Sequence, residues 1–151
     1  MTISFSCDHG GFELKEWVLN YLKIQWYDVL DLSPQTLELL DDFPDYAERV
    51  CTSIQNGEAE RGILICGTWI GMSIAANRHK NIRAVVAYSP EITKISRSHN
   101  NVNVACFWAR TMKLDDVIQS LNIFLSEPFL GDKYQRRNDK IDLLCWACKR
   151  I

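Results

Sequence analysis

Glycine and proline are scarce, at seven and four in 151 residues, which excludes a collagenous or low-complexity chain and leaves little material for flexible linkers. Long apolar runs are missing as well. Stretches such as Ile63 to Cys66 and Ala84 to Ala87 are strand-sized, far short of the ~20 residues a bilayer crossing needs, so no membrane partner is expected. The opening Met1-Thr2-Ile3-Ser4-Phe5-Ser6 offers no basic region followed by a long apolar core, and the reading is of a cytoplasmic protein. Neither sign of charge dominates: 17 basic side chains stand against 19 acidic ones, too few cations for a nucleic-acid surface, so no nucleic-acid partner is expected.

What is present belongs to one globular unit. Hydrophobic residues make up 47% of the chain, and 151 residues fall within the ~100–200 usual for a domain, so residues 1–151 read as a single domain with a sizeable core. Such a core needs no covalent staples, and the six cysteines read as reduced thiols. Cys145 and Cys148 have redox-motif spacing, but Ile141, Leu144, Cys145 and Cys148 also form one apolar helix stripe, and core packing is the expectation there. The charge is unevenly spread. Asp31 to Glu48 holds six acids and no base, while Asp132 to Arg150 holds six bases and three acids, so a small anion is expected to meet the tail.

Periodicity supplies the organisation. Leu14, Trp17, Val18, Tyr21 and Leu22 predict an amphipathic helix from about Gly11 to Lys23. Similar stripes occur at Ala47, Val50, Cys51 and Ile54, at Leu114, Val117, Ile118, Leu121 and Leu125, and in a C-terminal helix over about 139–150. Between them lie apolar segments read as strands: Ile3 to Cys7, Tyr27 to Leu32, Gly62 to Cys66, Ile82 to Ala87 and Val102 to Phe107. The alternation predicts an α/β fold, a Rossmann-like three-layer α/β/α sandwich with a parallel sheet of about five strands and sites at the strands' carboxyl ends. Pro44, and Ser89 before Pro90 and Glu91, mark helix starts.

Two predicted strand ends carry chemistry. Ile63 to Asn77 reads as strand, tight turn and a helix rich in small residues, with Cys66 at the strand end. Amides of such a turn hold an anionic oxygen and favour thiolate, giving a base beside an oxyanion site and a thiol pKa below the free value of about 8.5. A buried strand-end cysteine followed by a glycine turn is the plainer alternative. Cys7-Asp8-His9-Gly10-Gly11 ends the first strand with two titratable groups, of which Asp8 also suits a helix N-cap. His99-Asn100-Asn101 adds a loop histidine before the last strand, whereas His79, among Arg78, Lys80 and Arg83, reads as surface. Phe107, Trp108 and Trp146 read as core unless an interface claims them.

Five segments in order, Cys7 to Lys15, Asp42-Phe43-Pro44-Asp45-Tyr46-Ala47, Ile63 to Asn77, Ser98-His99-Asn100 and Gln135-Arg136-Arg137, resemble the type B ribose-5-phosphate isomerases over nearly the whole chain. The resemblance implies an aldose–ketose isomerase interconverting ribose 5-phosphate and ribulose 5-phosphate, without metal or cofactor. It implies a homodimer or tetramer with active sites shared between subunits, the C-terminal helix packing on the partner. By the same resemblance Cys66 is the base moving a proton between C1 and C2, and Thr68 hydrogen-bonds the enediolate oxygen. The amides of Gly67, Thr68, Trp69, Ile70 and Gly71 form its anion hole. Asp8 and His99 assist ring opening and proton movement, with His99 and Asn100 coming from the partner subunit. His9, Arg110, Lys133 and Arg137 correspond to phosphate-gripping positions.

The chain departs from the family pattern at several points. Trp69 stands where glycine is usual, and glycine there permits positive φ and close approach of substrate. An indole distorts the turn or crowds the sugar unless the local φ is negative. Phe43 replaces a common tyrosine, Lys133 an arginine and Tyr134 a histidine, and Ala87-Tyr88-Ser89 replaces a more polar stretch. Two alternatives to the pentose-phosphate reading follow. One is a hexose-6-phosphate isomerase acting on allose or galactose 6-phosphate, and the other an inactive sugar-phosphate-binding paralogue.

Overall fold

The computed structural model describes residues 1–108 and 112–147, the last three of these as backbone only. The chain runs β1 (Thr2–Cys7), a 3₁₀ turn (His9–Gly11), α1 (Phe12–Ile24), β2 (Asp28–Asp31), α2 (Phe43–Gln55), β3 (Arg61–Cys66), α3 (Ile70–Ala76), β4 (Ala84–Val86), α4 (Pro90–Asn100), β5 (Val104–Trp108), α5 (Leu114–Ser126) and α6 (Asp132–Ala147). All five strands are parallel, in the order β2-β1-β3-β5-β4. The expected strand and helix positions agree with this within a few residues, apart from the tail.

Alternation along the strands creates two buried faces. Ile3, Phe5 and Cys7 of β1, Ile63 and Ile65 of β3, and Ala105 and Phe107 of β5 pack under α1 and α5. Leu64, Cys66, Val104 and Cys106 point the other way, under α2 and α3. A strand with two apolar faces is stable only if both are covered, and each fully buried Leu, Ile or Phe contributes about 1.5–3 kcal/mol relative to an exposed one. Cys66 therefore faces the α2 and α3 layer.

Helix starts follow the local chemistry. Pro44 occupies the first turn of α2, where its missing N–H costs nothing. Ser89 caps α4 by accepting from the Ile92 amide at 3.2 Å. The sheet order reverses between β1 and β3, because β1 leads outward to β2 and β3 leads the other way. That switch point opens a crevice at the carboxyl ends of the two strands, beside Asp8 and Cys66.

The tail differs from expectation. α6 starts at Asp132 rather than near 139, and the Ile141 and Leu144 stripe does not join the core: Leu144 is 68% exposed and its neighbour Leu143 70%. The polar face holds the helix instead. Asp142 accepts from Arg83 Nη1 at 3.0 and 3.1 Å, and Asn138 donates to the His99 carbonyl at 3.3 Å. Cys148 lies outside the described residues, as does Arg110, and nothing is described of the Cys145 and Trp146 side chains. Among the described residues no helix is long and apolar enough to cross a membrane.

Candidate active site

Backbone contact brings the β1 and β3 ends together. The Asp8 amide donates to the Ile65 carbonyl at 3.2 Å, extending the ladder by one residue. Beyond it Gly10 lies against the next loop, where an added Cβ would sit 2.6 Å from the Gly67 nitrogen. No side chain fits between the two loops. Gly10→Ala is therefore expected to push them apart, at a cost of about 1–3 kcal/mol in stability. A displacement near 1 Å at reacting groups costs on the order of 100-fold in rate. Thermal unfolding and steady-state kinetics on the one variant check both.

Cys66 is 4% exposed, at the floor of the crevice. Burial raises its pKa above the ordinary thiol value; the Thr68 amide opposes this, nearby Asp8 adds to the rise, and the Trp69 and Met72 amides oppose it. The expectation of a depressed pKa is thus corrected: the turn's amides do reach the sulfur, but loss of water outweighs them. Asp8 shifts upward as well, first through burial and also through the charge of Asp41, against His9 and the Gly10 and Gly11 amides. Its Oδ1 accepts from the Gly11 amide at 3.2 Å, so it also caps the 3₁₀ turn. A carboxyl that keeps its proton to higher pH suits a general acid.

The turn itself has the glycine-like conformation without the glycine. Trp69 has φ of +53°, and the Ile70 amide donates to the Thr68 carbonyl across it at 2.5 Å, a tight three-residue turn. That bond occupies the Ile70 amide, which the expected anion hole had included. Left-handed backbone at a residue with Cβ costs about 1–2 kcal/mol, and packing holds it here. The indole meets Trp108 edge-on, with ring centroids 4.5 Å apart, and Trp108 is the register partner of Cys66. Thr68 and Ile70 are exposed, and Gly71 is pressed against the Phe43 ring, where an added Cβ would come within 2.6 Å. Trp108 is thus half-buried against Trp69 rather than core.

On the β1 side, His9 is half-buried beside a cavity of about 490 Å³ lined by Gly10, Phe12, Glu13, Leu14, Leu37 and Leu39. Its Nδ1 lies 2.5 Å from Asp41 Oδ1, and its backbone N–H donates to Asp41 Oδ2 at 2.9 Å. Asp41 escaped the sequence reading, since it is one acid in an acidic run and no spacing ties it to His9.

The remaining expected residues form a second cluster. His99 sits on the last turn of α4 rather than in a loop, its ring stacked on Tyr134 at 4.1 Å and 9°. Lys133 Nζ and Arg137 Cζ lie 5.1 and 5.8 Å from the centre of the same Tyr134 ring. Leu130 donates to the Ser98 carbonyl at 3.0 Å, tying the start of α6 to the end of α4. Asn100, the last residue of α4, is exposed, and His79 is half-buried after α3. In a parallel sheet α4 begins at the carboxyl edge after β4 and ends at the amino edge before β5. His99, Asn100, Lys133 and Arg137 therefore lie at the opposite edge of the sheet from Asp8, His9, Cys66 and Thr68.

A parallel sheet with titratable groups gathered at its switch point defines a Rossmann-like α/β protein with its candidate site between β1 and β3. Comparison with known proteins narrows this. Residues 3–141 match the family model described as Ribose/Galactose Isomerase. Ribose-5-phosphate isomerase B of Escherichia coli (strain K12) is 38% identical over 139 residues, covering 92% of this chain and 93% of that protein. A crystal structure of a ribose 5-phosphate isomerase from Thermotoga maritima superposes with TM-score 0.90 at 43% identity, covering 94% of this chain and 97% of that one. The ribose-5-phosphate isomerase B of Mycoplasma genitalium, solved with bound ribulose-5-phosphate, superposes at 0.89 with 35% identity and 95% coverage of each chain. The chain belongs to the ribose/galactose isomerase family.

Proposed function

We propose that the protein is a cytoplasmic aldose–ketose isomerase interconverting ribose 5-phosphate and ribulose 5-phosphate, working as a homodimer with shared sites. The observation that carries it is the joining of the β1 and β3 ends, where the Asp8 amide bonds the Ile65 carbonyl beside Cys66 and Thr68, in a chain related to ribose-5-phosphate isomerase B. In the open-chain aldose the Cys66 thiolate takes the proton from C2, and the electrons pass into an enediolate. Developing charge on oxygen is met by the Thr68 hydroxyl and the turn's amides. The proton then returns from sulfur to C1, while Asp8 and His99 move protons between the oxygens. His9, Arg110, Lys133 and Arg137 hold the phosphate dianion, the arginines through paired contacts.

Shared sites find support in the geometry of one chain. Among the described residues, Asp8, His9, Cys66 and Thr68 sit at one edge of the sheet and His99, Asn100, Lys133 and Arg137 at the other, so a second copy is the natural source of the latter set for the Cys66 site. The exposed Ile141, Leu143 and Leu144 of α6 offer apolar surface for that copy. Purified protein is expected to convert ribose 5-phosphate with a chelator present. Cys66→Ala and His99→Ala, each inactive alone, are expected to recover about a quarter of parental activity after mixing and reassembly, because half of the dimers are mixed and each has one intact site. No recovery from mixed dimers would sink the shared site, and no turnover by folded parent protein the substrate.

A further inference from the structure

Asp41 sits deeper than anything around it warrants. The segment between β2 and α2 is largely exposed at Leu37, Leu39, Leu40 and Asp42, yet the Asp41 side chain is only 2% exposed. A carboxylate taken out of water is costly unless donors surround it. Here they do: the His9 backbone N–H reaches Oδ2 at 2.9 Å and His9 Nδ1 reaches Oδ1 at 2.5 Å, with the buried Tyr46 of α2 close enough for its hydroxyl to be affected by the same carboxyl. One side chain thus pins both the backbone and the imidazole of His9, joining the β1 loop to the segment before α2.

We propose that Asp41 is a positioning residue that orients His9 for an anionic ligand, holding its backbone and Nδ1 so that Nε2 is left free for a phosphate oxygen. The phosphate role rests on the function proposed above; the dyad itself rests on the distances. An imidazole with one nitrogen tied to a carboxylate has one ring orientation and one nitrogen left for a ligand, and removing such a partner weakens the group it orients. Asp41 touches no reacting atom in this arrangement. Its effect falls on ground-state and transition-state binding alike, and so on KM rather than kcat.

The test is a double-mutant cycle read by calorimetric affinity for inorganic phosphate and by KM and kcat for ribose 5-phosphate. Asp41→Ala is expected to weaken phosphate about tenfold, the scale of one hydrogen bond to a charged group, and to raise KM to match with kcat within about twofold. Asp41→Asn, which keeps one acceptor for Nδ1–H, is expected to recover part of the loss. Adding Asp41→Ala to His9→Ala is expected to cost nothing further. Unchanged phosphate affinity in Asp41→Ala, an additive loss in the double variant, or a fall in kcat alone overturns the assignment. If Asp41→Ala does not fold, Asp41→Asn with and without His9→Ala decides by the same criterion. A parent that binds phosphate but does not turn over ribose 5-phosphate refutes the substrate while leaving the phosphate arm to judge Asp41.

Discussion

Cys66→Ala is expected to lower ribose 5-phosphate turnover by about 10³-fold or more with the fold intact, since removing a positioned base forfeits roughly 10²–10⁴ in rate. The substitution removes one buried sulfur from the α2 and α3 layer, a small loss beside the neighbouring Leu64, Met72 and Cys106 packing. Circular dichroism and sedimentation matching the parent, together with vanished turnover, are the expected pair of results; full turnover in the variant removes Cys66 from the chemistry. The pH profile carries a second signature of the same residue. A base works deprotonated, and burial raises this thiol's pKa, so kcat/KM climbs tenfold per unit through neutral pH and levels off above the ordinary thiol value. A plateau already reached at pH 7 contradicts the raised pKa. Iodoacetamide labelling speeds up over the same range and substrate slows it. Cys7 and Cys51 stay silent longer, since burial pushes them up to about 11 and about 12.

Trp69→Gly has the second large effect, on substrate choice. The turn already has φ of +53°, so glycine keeps the amides where they are while relieving about 1–2 kcal/mol of backbone cost. Against that the variant loses the edge-on contact with Trp108, worth about 0.5–1.5 kcal/mol beyond its buried area. The ring's buried area against the α2 and α3 layer is lost as well, so Tm is expected to fall by several degrees. The larger effect is on space. Removing an indole beside Cys66 opens the crevice by far more than one carbon, and a single extra carbon is normally rejected by about 10–200-fold. The ratio of kcat/KM for ribose 5-phosphate over allose 6-phosphate is expected to fall at least about tenfold in the variant. An unchanged ratio removes Trp69 from the wall of the site. A variant that turns over where the parent does not selects the binding-only alternative.

Local patterning was enough for the architecture. Apolar strands of β-branched residues separated by 3.6-period stripes admit little but a parallel sheet with helices on both faces, and Pro44 and Ser89 mark their helix starts by their own stereochemistry. Strand ends brought out Asp8, His9 and Cys66, because a strand end followed by glycine is where such a sheet exposes side chains, whereas Thr68 followed from the family resemblance. Misreadings came where a residue's neighbours are distant in sequence. Ile141 and Leu144 have core periodicity, but a stripe cannot say whether it faces its own chain's core or open surface, and here it is exposed. The Cys66 thiol has favourable amides nearby, but only its depth in the crevice sets desolvation above them.

Residue type, period and order thus determined the strands, the helices and the edge of the sheet where chemistry belongs, since these depend on interactions within a few residues. Tertiary structure alone decided the rest. It turned Asp41 inward onto His9, leaned Trp69 on Trp108 so that an indole keeps a glycine's backbone, and sent His99, Lys133 and Arg137 to the far edge from Cys66. The physical reason is that these contacts join segments separated by a crossover, and their energies depend on burial and approach distances that exist only once the sheet has closed.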